Sequence, residues 1–144
     1  MAYATAVFPK VVSAAGGANA NTVVVESTTL LSGQRIVANT SSGVVYASRD
    51  LLETVQTVLG FTKTAGTVVE VIVQGVYSDP TMAWDPLLPL WLGINGELTQ
   101  VRPTTGYLLE VGKVITPTEI VINIQSPIIL ASDRDWETKD PRPL

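Results

Sequence analysis

The 144-residue chain contains no cysteine and no histidine. Without cysteine it has no disulfide, no thiol nucleophile and no Cys₂His₂ zinc site. Without histidine it has no His-based triad, and no side chain whose unperturbed pKa falls between about pH 5 and 8. Charge is also scarce: 15% of residues are charged, against roughly 25% in an average soluble domain. No apolar run approaches the roughly 18 residues needed to span a bilayer, and the longest, Leu87 to Leu92, is broken by Pro89. The first residues, Met1 to Val7, lack the basic stretch of a signal peptide, so the expectation is a non-secreted product made in a cytoplasm. The nine Lys and Arg are scattered from Lys10 to Arg142 and the net charge is −4. Nucleic-acid binding requires a basic patch that displaces counterions from phosphates, so neither nucleic acid nor membrane is expected as a partner, and no cofactor or metal.

Hydrophobic residues make up 46% of the chain. A chain of this length buries about 68–70% of its unfolded surface, enough for a core without cross-links. The polarity that charge does not supply comes from Thr, Ser, Asn, Gln and Gly. Such a surface suits a protein that lies against other protein.

From residue 30 onward Val, Ile and Thr dominate, and Gly or Pro recurs about every ten residues, the spacing of an all-β sandwich or barrel. In Val68–Gln74 the alternation places Val69, Val71 and Val73 on one face and Glu70 and Gln74 on the other. In Ile120–Gln125 it places Ile120, Ile122 and Ile124 together, opposite Asn123 and Gln125. Asn95-Gly96, between Leu92 and Leu98, is the strongest hairpin signal, since both residues tolerate the positive φ of a type I′ turn. Ser48–Leu59 reads as a loop followed by a strand, with a short helix capped by Ser48 as the alternative.

Three segments follow. Residues 1–29 are an N-terminal arm with a first short strand at Val23–Val25, closed by Glu26, Ser27 and Thr28. Residues 30–130 are the β-body. Residues 131–144 are a charged tail holding seven of the chain's twenty-two charges. Within the body a unit recurs, first over 31–75 and then over 87–126. Ser42-Gly43 answers to Asn95-Gly96, Leu59-Gly60 to Val111-Gly112, and Glu70–Gln74 to Val121–Gln125. Neither copy buries its apolar face alone; packed together they would form one sandwich or closed barrel.

Chemistry is thin. Asp79 and Asp85 flank one loop as a glycosidase pair would, but each precedes proline and reads as a turn former. Asp133, Asp135 and Glu137 alternate like the start of a calcium loop; its sixth and twelfth positions hold Thr138 and Leu144, where Gly and a carboxylate are required. A solvated tail is the expectation. There is no G-x-S-x-G, P-loop or G-x-G-x-x-G pattern. Of the three tryptophans, Trp91 reads as core, and Trp84 and Trp136 as loop anchors or interface contacts. The candidate interface residues are therefore Tyr3 and Phe8 in the arm, Trp84 in the crossover loop and Trp136 in the tail.

The stretch from Asp79 to Leu130 carries a Trp before P-L-W-L-G, then N-G-E-L-T-Q, P-T-T-G, E-V-G-K-V and I-N-I-Q-S-P. The first copy follows the same grammar with S-G-V-V-Y-A and V-L-G. Over about residues 30–130 these elements resemble the capsid decoration, or cement, proteins of tailed bacteriophages. The resemblance implies a small β-barrel or jelly-roll-like body, and a structural role on the capsid surface without catalysis. It also implies the major capsid protein as partner, and self-association as a homotrimer or homodimer. A tail, neck or fibre-associated virion protein, contacting host glycan through Trp84 or Trp136, is the alternative.

Overall fold

In the computed structural model, residues 10–16 and 20–130 are described, with side chains from residue 21 onward. Their Val-, Ile- and Thr-rich segments pair as twelve antiparallel strands: β1 (Lys10–Gly16), β2 (Ala20–Leu31), β3 (Ile36–Thr40), β4 (Gly43–Tyr46), β5 (Val58–Thr62), β6 (Gly66–Ser78), β7 (Leu90–Leu92), β8 (Leu98–Thr99), β9 (Gly106–Leu108), β10 (Glu110–Thr116), β11 (Glu119–Asn123) and β12 (Ile128–Leu130). One short helix, α1 (Leu52–Gln56), lies between β4 and β5. The all-β class read from composition is what forms.

The main sheet runs β4-β3-β5-β6-β11-β10-β7-β8, with β2 joined to β6 and β1 to β2; β9 and β12 make a separate two-stranded ribbon. The order reads alike from either end. In the first half a hairpin, β3–β4, precedes β5 and β6; in the second a hairpin, β7–β8, precedes β10 and β11. The connection that carries α1 in the first half carries β9 in the second. Gly60 on β5 and Gly112 on β10 match in structure as well. A Cβ at either would overlap a carbonyl oxygen of the next strand, that of Ile72 for Gly60 and that of Val121 for Gly112. This register sets Val121 in the place of Ile72, two positions from the match of Val121 with Glu70 made on sequence.

The 13-residue strand β6 organises the molecule. Val71 and Ile72 pair with β2 on one edge and β5 on the other. Gln74 and Gly75 pair with β2 and with β11. The edge of β6 facing away from β2 is thus divided between the two halves, and the β2 ladder skips Val73 at the handover. A bulge of this kind breaks the two-residue alternation. Val69 and Val71 share a face as expected, but Val73 does not join them and is exposed.

Two cores result. The larger contains Ile36, Phe61, Ile72, Leu90, Leu92, Leu109, Val111, Ile120 and Ile122. The smaller contains Val25, Leu31, Val37, Val44, Val69 and Val71. Neighbours Ile36 and Val37, and Val71 and Ile72, enter different cores, as successive strand residues on opposite faces must. Ile120 and Ile122 are fully buried and Ile124 packs beside them, so the alternation read in that segment holds.

The expected closed barrel does not form. Strands β2, β6, β5, β3 and β4 curl around the smaller core, but β4 and β2 meet through the Ser27 hydroxyl, which donates to the Val44 carbonyl at 3.2 Å, and not through a ladder. The other end of the main sheet closes on the first half through a turn. Asn95 and Gly96 take φ of 55° and 76°, the positive pair foreseen for a type I′ turn. The Ile36 amide donates to the Gly96 carbonyl and the Gly96 amide to that of Ala47.

Two further boundaries differ from expectation. β2 continues through Glu26–Thr29 to Leu31, although its ladder with β6 breaks after Glu26 and resumes only at Leu31 with Gly66; in the gap Ser27 bonds to the Val44 carbonyl of β4. The 48–59 stretch forms both a single helical turn and a strand. Leu51 caps α1 without a side-chain bond. Thr54 stabilises the turn instead: its hydroxyl donates toward the carbonyls of Leu51 and Ser48 and accepts from the Ser48 amide.

Candidate interaction site

The carboxylates weighed as catalysts are each committed to a turn. Asp85 Oδ1 accepts from the Leu87 amide at 2.9 Å. The Gln100 amide group locks this loop from outside: its Nε2 donates to the carbonyls of Asp85 and Leu88, and its Oε1 accepts from the Asp85 amide. Asp79 accepts from the amide and hydroxyl of Thr81 at 2.8 and 2.6 Å, from Gln34 Nε2 at 2.8 Å and from the Tyr77 hydroxyl at 3.2 Å. The Thr81 hydroxyl, followed by its amide, holds the Asp79 carboxyl below its ordinary value of 3.8. Burial pushes the Tyr77 phenol upward. Both residues read as turn formers take that role.

A carboxyl pKa lowered by folding adds stability that is present above the unfolded value and lost as pH falls through the folded one. Asp79→Asn should therefore flatten the acid limb: between about pH 5 and pH 2 its melting temperature should fall less than that of the parent chain. Parallel acid limbs would show that the Asp79 bonds contribute nothing.

The loop that Gln100 closes presents Leu87 to solvent at 88% exposure, with Leu88 also exposed. These residues and Pro89 line a depression with Glu110 and Lys113; the Lys113 ammonium lies 2.8 Å from the Glu110 carboxylate. On the far side of Glu110 a groove of about 550 Å³ is lined by Trp91, Arg102, Leu108, Gln125 and Ile128 among others. Strand register explains the placement: Glu110 pairs with Trp91 across β10 and β7, and the Gln125 amide donates to the Glu110 carbonyl. The Arg102 guanidinium stands 6.0 Å above the Trp91 ring, within cation–π range. Beyond the groove β12 exposes Ile128 and, at 71%, Ile129. Opposite them on β9, Leu108 is buried and Tyr107 packs against the larger core, so the exposure belongs to β12 and not to the whole ribbon. Glu110 thus stands between the depression at Leu87 and Leu88 and the groove at Trp91 and Ile128.

The sequence singles out four interface candidates. Tyr3, Phe8 and Trp136 lie outside the described residues. Trp84 is half-buried against the larger core, its amide bonded to the Pro117 carbonyl and its Nε1 enclosed without an acceptor among the described residues. Its indole packs against the larger core and lines a depression with Met82 and Phe61. Trp91, read as core, is the tryptophan of the exposed groove. The signal that would have found it is the brevity of its strand: β7 has three residues and β8 two, too few to cover a neighbouring ring.

Compared with known protein families, curated proteins and solved structures, the chain matches none.

Proposed function

We propose that this chain is a structural virion protein of a tailed bacteriophage that decorates the capsid shell, binding the major capsid protein and copies of itself without catalysis. The observation that carries this reading is the apolar surface around Glu110. Leu87, Leu88 and Ile128 are exposed around it, and exposed apolar surface of this kind marks a protein contact. The sequence resemblance to cement proteins supplies the partner. A shell gains stability by mass action from any protein that binds only its assembled form. The jelly-roll-like body that the resemblance implies is supported by the curled strands around the smaller core, and a duplication by the strand order and the paired glycines.

Virions lacking the protein should disrupt at a lower temperature than complete ones, with density lost across the shell surface. Equal disruption temperatures with unchanged shell density would remove the capsid reading. A tail, neck or fibre component is the second reading. The specific observation in its favour is Trp91, an accessible aromatic beside Arg102 and Gln125 of the sort that stacks on sugar. Copy number in purified virions separates the two, since a tail component is present in only a few copies.

A further inference from the structure

The turn that closes the far end of the main sheet on the first half is also the chain's only Asn-Gly pair. In an unfolded chain such a pair is the most reactive setting for asparagine deamidation, because glycine leaves the next peptide nitrogen uncrowded and free to turn. The Gly96 nitrogen attacks Cγ of Asn95 and a new C–N bond forms. The Cγ–Nδ2 bond breaks, and ammonia leaves with the Gly96 amide proton. Water then opens the five-membered imide at either carbonyl, which yields aspartate or isoaspartate. The fold exposes Asn95 to water and base but withholds the nucleophile: Gly96 is buried, and its amide donates to the Ala47 carbonyl. The Glu97 amide closes the turn on the Ile94 carbonyl, and a type I′ turn sets ψ of its first central residue at about +30°. There the next nitrogen points almost opposite the side chain, whereas ring closure needs the two on the same side.

The first half grips the turn at further points. Ser48 Oγ accepts from the Asn95 amide at 2.7 Å, Arg35 Nη1 donates to the Asn95 carbonyl at 2.9 Å, and the Ile36 amide donates to the Gly96 carbonyl. The Gly96 nitrogen can therefore swing toward Asn95 Cγ only when this joint lets go. The joint also has no slack for one of the products. Isoaspartate carries the backbone through the side chain and lengthens it by a methylene, at a place where a Cβ on Gly96 would already lie 2.6 Å from the Ile36 carbonyl oxygen. We propose that Asn95 is a deamidation site gated by the joint between the two halves: silent while the joint is closed, reactive when it opens, and unable to close again once isoaspartate has formed. The modification marks, irreversibly, chains whose joint has come apart.

The full-length chain is held in mildly alkaline buffer, with and without concentrated urea, and deamidation at Asn95 is followed by peptide mass spectrometry and isoaspartate content. It should run at least about 100-fold slower in buffer than in urea, a margin set by the free energy of opening. Ser48→Ala leaves the Asn95 amide without its acceptor and should speed the reaction in buffer about tenfold, with the rate in urea unchanged. If circular dichroism shows Ser48→Ala unfolded, Arg35→Gln takes its place with a smaller gain. Chains converted to isoaspartate in urea and returned to buffer should melt at least about 5 °C below unconverted chains carried through the same steps. A smaller margin between buffer and urea, no gain in the folded variant, or isoaspartyl chains that melt as high as unconverted ones would each overturn the proposal.

Discussion

Alanine at Gly60 should destabilise the protein by about 3 kcal/mol, at the upper end for overpacking a core. The cause is distance and not backbone freedom, since only a close approach requires glycine there. The added methyl would lie closer than 3.0 Å to the Ile72 carbonyl oxygen and to Val71 Cγ1. Neither can retreat cheaply, because Val71 and Ile72 are held by β2 on one edge and β5 on the other. For a domain of this size the melting temperature should fall by roughly 6–12 °C. Gly112→Ala should behave alike, its methyl meeting the Val121 carbonyl. Gly43→Ala serves as the contrast. At φ 103° it strains the backbone but meets no atom within 4 Å, so it should cost about 1 kcal/mol. Thermal melts of the three variants check the ranking; a Gly60→Ala protein melting as high as Gly43→Ala would mean that β5 and β6 are not so close.

Phe61→Ala should cost about 3–5 kcal/mol, the range for removing a buried aromatic ring. Phe61 is fully buried and sits across the ladder from both Ile36 and Ile72. Its ring meets Tyr77 edge-on with centroids 5.1 Å apart. Tyr77 in turn donates to Asp79 and accepts from Gln34, so the truncation also unseats the polar clasp at the start of the crossover loop. Phe61→Leu keeps most of the volume and should recover more than half of the loss. Urea titration with a constant m-value reads both. A Phe61→Ala midpoint within about 1 kcal/mol of the parent would show that its surroundings collapse to fill the space.

Where local chemistry decides the backbone, the sequence was legible. Asn95-Gly96 declared its turn because few residues accept two positive φ values in succession, and Ile120 and Ile122 declared their face because β11 is paired regularly on both sides. Legibility failed where a distant strand decides. Glu26, Ser27 and Thr28 look like the end of a strand, and the ladder with β6 does break after Glu26, yet β2 runs on to meet β6 again at Leu31. Val73 alternates faultlessly with Val69 and Val71, but the handover between β5 and β11 ejects it. Of the two tryptophans, Trp84 is the loop anchor that the sequence offered, and Trp91, read as core, lines the open groove for the same reason. Trp84 sits in a polar loop that folds back over the larger core, while Trp91 sits in an apolar strand whose neighbours are too short to cover it. The apolar surface was written in the sequence as Pro-Leu-Leu-Pro and Pro-Ile-Ile-Leu, but only the register through Glu110 brings Leu87, Leu88 and Ile128 around one residue.

The divided edge of β6 has a consequence for how the molecule comes apart. Two similar units joined end to end can open one at a time, each carrying its own strands. Here a single strand belongs to both, and releasing either set of partners leaves a row of its amides and carbonyls bare beside an opened core, a heavy penalty for unpaired backbone. Neither unit has a boundary along which to part from the other, so loss of one entails loss of both, and the double fold behaves as a single cooperative body.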